Sequence, residues 1–541
     1  MNKYSFLIAS FFLFWIRVVA QDPEPKKNSM VWNPDNGDGT YKNPIIYADY
    51  SDPDVIRVGD DFYMTSSSFN CIPGLPILHS KDLVNWSIIT HALQRFPSDE
   101  FNRPQLGKGV WAPAIRYHDG EYYIYFSEPD LGIYLVKAKK PEGPWEEPIL
   151  VKSAKGWIDP CPFWDDDGQA YLVHAFAGSR AGLKSVLVIN RMSYDGKKLL
   201  DEGMIIFDGH AKHPTIEGPK MYKRNGFYYI FAPAGGVPAG WQTILRSKNI
   251  YGPYEDKVVL DQGTTSINGP HQGALIELET GENWFIHFQD KNVYGRIVHL
   301  QPVRWVENWP VIGSDTKNNG KGEPVLTFNK PLTSICSIIS PQTSDEFNTR
   351  SMGLQWQWNA NPQPLWAFND VTNGNLRLYS VPLPNEFKNY SDVPNLLLQK
   401  FPAPEFSVTT KMTFTPKNVG EEAGLIVFGI DYARISLKNI GKKNQLVQFI
   451  CRESSKGNKE ICIDSVKIDN NTIYLKVTVI YPGNCTFFYS YNGKDYKPFG
   501  TPLEAKEGVW IGAKVGIFCT RKIFINDGGY TDFDWFRIDN E

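Results

Sequence analysis

The chain of 541 residues carries 56 Lys and Arg against 59 Asp and Glu, for a formal net charge of −3. This balance, without a Lys/Arg run, gives no electrostatic basis for binding nucleic acid or an anionic membrane. Hydrophobic residues make up 42% of the chain and aromatic residues 14%, which fits packed sheets and surfaces that bind sugars. The length predicts more than one domain.

Residues 1–20 have the pattern of a signal peptide. Lys3 is followed by an apolar stretch that ends in small residues at 18–20, which predicts cleavage before Gln21. The protein is therefore expected to be exported, either to the periplasm or into the medium. The stretch is short for a membrane span and nothing later resembles one, so membrane insertion is not expected.

One unit recurs five times in residues 40–313. Each copy has a small residue or carboxylate, a proline, an alternating strand, a tight turn and a strand rich in Tyr or Trp. The prolines are Pro53, Pro113, Pro160, Pro219 and Pro270, spaced 47 to 60 residues apart. Repeats of about 40–50 residues that hold several strands are typical of propellers. The repeat therefore predicts a five-bladed β-propeller.

The rest of the chain has a different pattern. Residues 314–342 are rich in Ser, Asn, Lys, Gly and Pro, which indicates a linker or a strap across both domains. Residues 343–541 contain short alternating segments, among them 376–379, 406–410 and 424–428, but not the repeat. These segments predict an antiparallel β-sandwich, so the whole chain is expected to be all-β.

Three acids begin copies one, three and four of the repeat: Asp52, Asp159 and Glu217. Asp before Pro commonly only starts a turn, but turn formation does not require acids in the register that faces the propeller axis. Hydrolysis of a glycosidic bond needs two carboxyl groups in different protonation states, and a third carboxylate raises the pKa of the acid. The alternative is a calcium site in a propeller that binds glycans without catalysis.

Three further residues are weaker candidates, each with an ordinary structural alternative. Trp111, in the axial position of copy two, forms either a sugar-binding wall or part of the core. His271, in copy five, is either a ligand or a satisfied polar residue, and Arg296 contacts either sugar hydroxyls or an acidic side chain.

The stretches 51–63, 109–113, 158–160 and 216–219 resemble, in order and spacing, glycoside hydrolase family 43, five-bladed propeller enzymes acting on arabinose- and xylose-containing glycans. Residues 343–541 are similar to the concanavalin-like sandwich attached to many members. The resemblance implies that Asp52 is the general base, Glu217 the general acid and Asp159 the pKa modulator. It further implies inversion in one displacement, with a carboxyl separation between Asp52 and Glu217 of about 6.5–9.5 Å.

The resemblance also assigns the remaining candidates. Phe69 and Trp111 resemble walls of the terminal-sugar pocket, and Arg296 resembles a contact to sugar hydroxyls. His271 matches an axial histidine that often lies beside a bound calcium ion. That calcium would be structural or electrostatic, and no cofactor is required for the chemistry.

The substrate expected from the resemblance is a plant cell-wall oligosaccharide or polysaccharide. Xylosidases of the family commonly carry aromatic rings where this chain has Asn70, Cys71 and Ile72. This departure favours an exo-acting α-L-arabinofuranosidase on hemicellulose. The alternative is a β-D-xylosidase acting on xylo-oligosaccharides, or an enzyme with both specificities.

Overall fold

The protein was analysed as a computed structural model, which describes residues 30–333 and 337–541. The predicted signal peptide lies outside the described residues. Five four-stranded sheets are followed by two eight-stranded sheets, so the predicted all-β architecture of a five-bladed propeller and a sandwich is confirmed. In the described part of the chain, no helix is long and apolar enough to cross a membrane.

The helical segments are all short. They are the α-helix Gly178–Ala181 and the 3-10 turns Asp99–Asn102, Asn292–Tyr294, Tyr390–Asp392 and Ser454–Lys456.

Each blade is an antiparallel meander in which strands adjacent in the sheet are consecutive in the chain. Strand β1 (Thr40–Lys42) precedes the blades. Blade 1 contains β2 (Asp54–Val58), β3 (Asp61–Thr65), β4 (Gly74–Ser80) and β5 (Ser87–Leu93). Blade 2 contains β6 (Trp111–His118), β7 (Glu121–Glu128), β8 (Gly132–Ala138) and β9 (Ile149–Ser153). Blade 3 contains β10 (Trp157–Trp164), β11 (Ala170–Phe176), β12 (Val186–Met192) and β13 (Met204–Asp208).

The last two blades follow the same plan. Blade 4 contains β14 (Lys220–Arg224), β15 (Phe227–Ala234), β16 (Trp241–Ser247) and β17 (Glu255–Leu260). Blade 5 contains β18 (His271–Glu277), β19 (Asn283–Asp290), β20 (Arg296–Val306) and β21 (Trp309–Ile312). The first strand of blade 5 contacts the first strand of blade 1, which closes the ring.

Tight hairpins join the first two strands of the blades, as their sequences predict. In blade 2, Asp119 and Gly120 both have positive φ, at 48° and 80°. In blade 4, Asn225 and Gly226 have φ of 50° and 73°. Asp-Gly and Asn-Gly are the pairs that tolerate two such residues in succession, and the resulting turn matches the twist of the strands. In blades 2 and 4, these turns therefore set the register between the first and second strands.

The segment between the domains lies along the propeller. Strand β22 (Thr327–Asn329) pairs with β1, with Tyr41 opposite Phe328. Gly322 bridges Leu260 at the end of blade 4. The segment between the domains thus adds backbone hydrogen bonds to the strand before blade 1 and to the last strand of blade 4.

The sandwich consists of two facing sheets that share one core. The first sheet contains β23 (Gln357–Trp358), β26 (Val381–Pro382), β27 (Leu397–Lys400), β29 (Glu422–Phe428), β30 (Tyr432–Asn439), β31 (Asn444–Cys451), β32 (Ile461–Ile468) and β37 (Lys514–Arg521). The second contains β24 (Ala367–Asp370), β25 (Asn375–Tyr379), β28 (Phe406–Thr415), β33 (Thr472–Ile480), β34 (Asn484–Ser490), β35 (Lys497–Pro498), β36 (Leu503–Glu504) and β38 (Tyr530–Asp539). Pairing is antiparallel except between β26 and β37. Alternate buried residues such as Met412 and Phe414 of β28 pack with Leu425 and Ile435 from the other sheet.

Buried asparagines hold the two domains together. The Asn361 side chain accepts from the backbone N–H of Phe96 at 2.8 Å and donates to its carbonyl at 3.0 Å. Nearby, the Asn70 amide donates to the carbonyl of Asn359 at 2.9 Å. Directional hydrogen bonds therefore join the two domains alongside apolar contacts such as those of Tyr47 and Tyr294 with the sandwich core.

Asn361→Ala is expected to destabilise the protein by about 1–3 kcal/mol, because it leaves the N–H and C=O of Phe96 unpaired in a buried place. Thermal unfolding followed by circular dichroism measures the change. Substitution of the exposed Asn526 by Ala is the matched control. Equal midpoints for the two variants would contradict the role of Asn361.

Candidate active site

One cavity opens at the propeller axis. It brings together all seven residues that the sequence singled out: Asp52, Phe69, Trp111, Asp159, Glu217, His271 and Arg296. Residues that are up to 244 positions apart in the chain therefore share one site.

A repeated backbone corner points these side chains inward. The residue before the repeat proline has positive φ in every copy: 53° at Asp52, 38° at Ala112, 57° at Asp159, 59° at Gly218 and 46° at Gly269. Positive φ at Asp and Ala is strained, and such strain is concentrated at functional sites. The first strands of blades 2, 3 and 5 also shift register close to this corner, as bulges do next to active sites.

The corner corrects the expectation that the three acids have equivalent positions. Asp52 and Asp159 are the strained residues themselves, whereas Glu217 precedes its corner residue Gly218 by one position. His271 follows its corner by two positions. All of them nevertheless line the same cavity.

Asp52 is buried and accepts hydrogen bonds from two side chains. The Ser67 hydroxyl donates to Oδ2 at 2.6 Å, and the Arg296 guanidinium lies 3.3 Å from the same oxygen. The Ser67 hydroxyl oxygen in turn accepts from the N–H of Ala112 at 2.7 Å. Ser67 was not found from the sequence, where nothing distinguishes it from its serine neighbours.

The other two carboxyl groups bind protons more tightly than usual. Burial raises the pKa of Asp159 to about 7, although the N–H of Gly218 donates to it at 2.7 Å and opposes the rise, and the charge of Asp52 adds to it. Burial, followed by the charges of Asp159 and Asp52, raises the pKa of Glu217 to about 8. The cluster therefore keeps Glu217 protonated at neutral pH.

His271 lies against this acid. Its Nε2 is 3.4 Å from Oε1 of Glu217, and its side chain is 1% exposed. Burial, with smaller effects from Arg296 and His287, lowers the pKa of His271 to about 3. The imidazole is therefore neutral.

The calcium expectation has little support around His271. Calcium takes six to eight oxygen ligands. The described residues contain no group of three or more His, Cys, Asp or Glu that could hold a metal ion. The neutral ring of His271 and the single nearby carboxyl of Glu217 do not fit a calcium cage, so calcium stays a prediction and enters no step below.

A buried charged group beneath the cavity supports the site. Asp54 is fully buried, 2.7 Å from the Arg116 guanidinium and 4.0 Å from the Lys220 ammonium. Lys220 donates to the carbonyl of Pro113 at 3.1 Å, and its charge tends to lower the pKa of Asp159. The charge of Lys220 thus offsets part of the repulsion among the carboxylates.

Three aromatic rings wall the cavity. Phe69 and Trp111 pack edge to face with centroids 6.2 Å apart, and Trp510 packs the same way on Trp111 at 6.1 Å. Trp510 comes from the sandwich, in the loop between β36 and β37. Trp510 could not be identified from the sequence. It lies nearly 400 residues from its partner Trp111, and no local pattern distinguishes it from other tryptophans.

Asp49 ties that loop to the propeller. It accepts from the N–H of Arg296 at 2.9 Å and from the N–H of Gly512 at 3.0 Å. A side chain at Gly107 would meet Val509 at 2.5 Å, so the loop also lies directly on the propeller backbone. The sandwich is therefore part of the site.

The segment that suggested an unusual rim lies elsewhere. Asn70, Cys71 and Ile72 are at most 1% exposed and do not line the cavity. Ile72 pairs with Trp358 of the sandwich, and the Lys514 ammonium donates to Sγ of Cys71 at 2.8 Å. These residues form the domain interface, so their lack of rings carries no information about the sugar pocket.

Comparison with known proteins agrees with this architecture. Residues 41–310 match the family described as glycosyl hydrolases family 43, and residues 344–539 match the beta xylosidase C-terminal concanavalin A-like domain. A protein of Xylanibacter ruminicola named "Putative beta-xylosidase" is 43% identical over 490 residues, 90% of this chain and 87% of the relative. A non-reducing end alpha-L-arabinofuranosidase of Bacteroides ovatus is 31% identical over 436 residues, 76% and 78% of the two chains.

A solved structure gives the same result. The crystal structure of a xylan beta-1,4-xylosidase from Bacillus halodurans superposes with a TM-score of 0.82 at 25% identity, covering 92% of this chain and all of the other. The chain therefore belongs to glycoside hydrolase family 43 and is a glycosidase.

Proposed function

We propose that the enzyme is an exo-acting, inverting β-D-xylosidase that removes the terminal xylosyl residue of xylo-oligosaccharides. The observation that carries the proposal is the aromatic-walled cavity in which Asp52 lies beside a guanidinium while Glu217 keeps its proton at neutral pH. Two carboxyl groups in these opposite states are what hydrolysis of a glycosidic bond requires.

In the proposed mechanism, Asp52 takes a proton from a water molecule. The water oxygen forms a bond to the anomeric carbon while the bond from that carbon to the leaving oxygen breaks. Glu217 gives its proton to the leaving oxygen, so the departing sugar leaves as an alcohol. Asp159 raises the pKa of Glu217 by its charge and so keeps the acid loaded.

The remaining residues are proposed to bind the terminal sugar. Phe69, Trp111 and Trp510 offer apolar surfaces to the ring, and Arg296 offers donors to hydroxyl groups while it holds Asp52. A cavity walled on several sides accommodates a chain end better than a chain middle, which supports exo action. The substrate is proposed to be a hemicellulose-derived oligosaccharide from plant cell walls, and export of the enzyme stays a prediction.

The choice of xyloside over arabinofuranoside reverses the order expected from sequence. That order depended on Asn70, Cys71 and Ile72, which lie under the sandwich and away from the cavity. The most similar relative described above is named for xylosidase activity, as is the family description of the sandwich. Because one relative is named an arabinofuranosidase, an enzyme with both specificities is the second candidate.

Glu217→Gln is expected to lower kcat on xylobiose by about 10²–10⁴-fold, because the amide has no proton to give. The same variant should lose much less on a dinitrophenyl xyloside, whose leaving group departs without protonation. Asp52→Asn is the control, since loss of the base should impair both substrates. Equal losses of the Glu217 variant on both substrates would contradict its role as the acid.

The pH profile of kcat/KM should fall on the alkaline side with a pKa of about 8, because activity requires Glu217 protonated and its raised pKa delays loss of the proton. Asp159→Asn removes a negative neighbour and should move this limb to lower pH. An alkaline limb that does not move would exclude Asp159 as the modulator.

Trp510→Ala is expected to raise KM for xylobiose about 2–10-fold with little change in kcat, because it removes one apolar wall. Trp510 has a positive φ of 66°, and Trp510→Phe, which keeps an aromatic ring at this position, should retain most of the affinity. Initial-rate kinetics of the two variants measure the difference. An unchanged KM in the alanine variant would remove Trp510 from the sugar pocket.

Aryl β-D-xyloside is expected to be hydrolysed faster than aryl α-L-arabinofuranoside, because xylosidase relatives share most of the chain. Proton NMR of the first xylose released should show the α-anomer, the product of inversion. Preference for the arabinofuranoside would reverse the assignment of substrate, and a first-formed β-anomer would exclude the single displacement.

A further inference from the structure

The corner of blade 2 is strained although it carries no acid. Its corner residue, Ala112, has φ of 38° and a small apolar side chain. Strain of this kind persists only where the surrounding structure imposes it, and it is concentrated at functional sites. The polar contact at this corner comes from the backbone, because the N–H of Ala112 donates to the Ser67 hydroxyl oxygen at 2.7 Å.

Ser67 connects this N–H to the carboxyl group of blade 1. The residue is 2% exposed, and its own N–H donates to the carbonyl of Ser51, the neighbour of Asp52 in the chain, at 2.9 Å. Its hydroxyl group donates to Oδ2 of Asp52 at 2.6 Å. The backbone and the side chain of Ser67 are therefore both fixed by hydrogen bonds.

The direction of these bonds follows from the groups that make them. A backbone N–H can only donate, so the N–H of Ala112 occupies a lone pair of the Ser67 oxygen, and the hydroxyl hydrogen must point to another acceptor. Among the described residues, Oδ2 of Asp52 is the acceptor within hydrogen-bond distance of that hydroxyl group. An ionised Asp52 satisfies the serine, whereas a proton on Oδ2 would leave the serine hydrogen without this acceptor.

The bond from Ser67 is the shortest that Asp52 accepts. At 2.6 Å it has the length of a strong hydroxyl bond to a carboxylate. The Arg296 guanidinium lies 3.4 Å from Oδ1 and 3.3 Å from Oδ2, which is longer than a close charge-assisted pair. Oδ2 is thus held by two donors and Oδ1 by one distant donor, so Oδ1 is the oxygen with free capacity to take a proton.

Blades 3 and 4 have a related arrangement without a serine. The N–H of the blade 4 corner residue, Gly218, donates directly to Asp159 at 2.7 Å. In both pairs of blades, the corner N–H of one blade supports the carboxyl group on the corner of the blade before it. Between blades 1 and 2, the hydroxyl group of Ser67 lies between the N–H and the carboxylate. The corner of blade 2 therefore serves the carboxyl group of blade 1.

We propose that Ser67 is a positioning residue for the base. With the N–H of Ala112 behind it, its hydroxyl group holds Asp52 ionised and oriented, so that Oδ1 takes the proton of the attacking water while Oδ2 keeps the bond from Ser67. This inference rests on Asp52 as the base of the proposed mechanism, but not on the choice between xyloside and arabinofuranoside.

Ser67→Ala should lower kcat/KM about 10–100-fold, mainly through kcat, because the charged carboxylate loses a hydrogen bond. The assay uses whichever of aryl xyloside and aryl arabinofuranoside the wild type hydrolyses faster. The acid limb of the pH profile should move to higher pH, since the lost donor favours the charged form. The other charged or titratable groups that line the cavity keep their identity in this variant: Asp159, Glu217, His271 and Arg296.

Two further substitutions at this position grade the effect. Ser67→Cys exchanges the hydroxyl group for a weaker donor, so it should move the acid limb in the same direction by a smaller amount. Ser67→Thr keeps a hydroxyl group and should return the limb towards its wild-type position.

Ser68→Ala is the matched control. Ser68 is also buried, and its hydroxyl oxygen accepts the N–H of Leu75 at 3.1 Å. Loss of this bond should lower the midpoint of thermal unfolding as Ser67→Ala does, but it should not move the acid limb.

Asp52→Asn separates the two ways in which the inference can fail. Wild-type activity in that variant would overturn the base and, with it, the role of Ser67. An impaired Asp52 variant, together with a Ser67→Ala variant whose rate and acid limb match those of Ser68→Ala, would refute the role of Ser67 alone.

Discussion

The structure depends on how three carboxyl groups, two of them buried and Glu217 partly exposed, can be held in one cavity. Like charges at close range oppose ionisation, and burial penalises it further, so the cluster does not ionise fully. Arg296 and the buried Lys220 offset part of the repulsion, and the remainder appears as the raised pKa of Glu217 and Asp159. The burial and repulsion that oppose ionisation of the cluster are therefore what keeps the proton on Glu217, the acid of the site. A site with more cations would be more stable and would lose the proton that hydrolysis uses.

The propeller meets this constraint because it brings one corner from each of five sheets to the same axis. Each blade contributes a different side chain on a backbone of similar shape, so charge can be placed unevenly around the axis. Blades 1, 3 and 4 supply acids, blade 2 supplies an indole and blade 5 supplies a neutral imidazole and a guanidinium. A bundle of helices could place acids in its core, but it would not offer five backbone corners of similar shape around one axis.

Much of this was predictable from sequence, for a physical reason. The repeat proline, the tight Asp-Gly and Asn-Gly turns and the alternating strands are local features, and they fix the blades. The acids were found because their positions follow from the repeat. The extra residue between Glu217 and Pro219 is visible in the sequence, but the positive φ at Gly218 that places this acid in the cavity is not.

Contacts between the domains were beyond local reasoning. Trp510 reaches the pocket because Asp49 holds Gly512, a relation across 463 residues that no pattern near either residue reveals. Because contacts between the domains cannot be read from local sequence, the expectation of an arabinofuranosidase was also wrong in its premise. Residues 70–72 were assumed to face the sugar, while a partner strand from the sandwich covers them.

The position of Trp510 has a consequence for how such enzymes can change over time. Because one wall of the pocket is encoded in the second domain, the boundary between folding units is not a boundary between functions. Exchange of the sandwich between two relatives would exchange part of the specificity as well, and a propeller inherited alone would carry the acids without a complete pocket. The two domains are therefore expected to be inherited together. Substitutions in the loop around Trp510 can alter substrate choice while the catalytic blades stay unchanged.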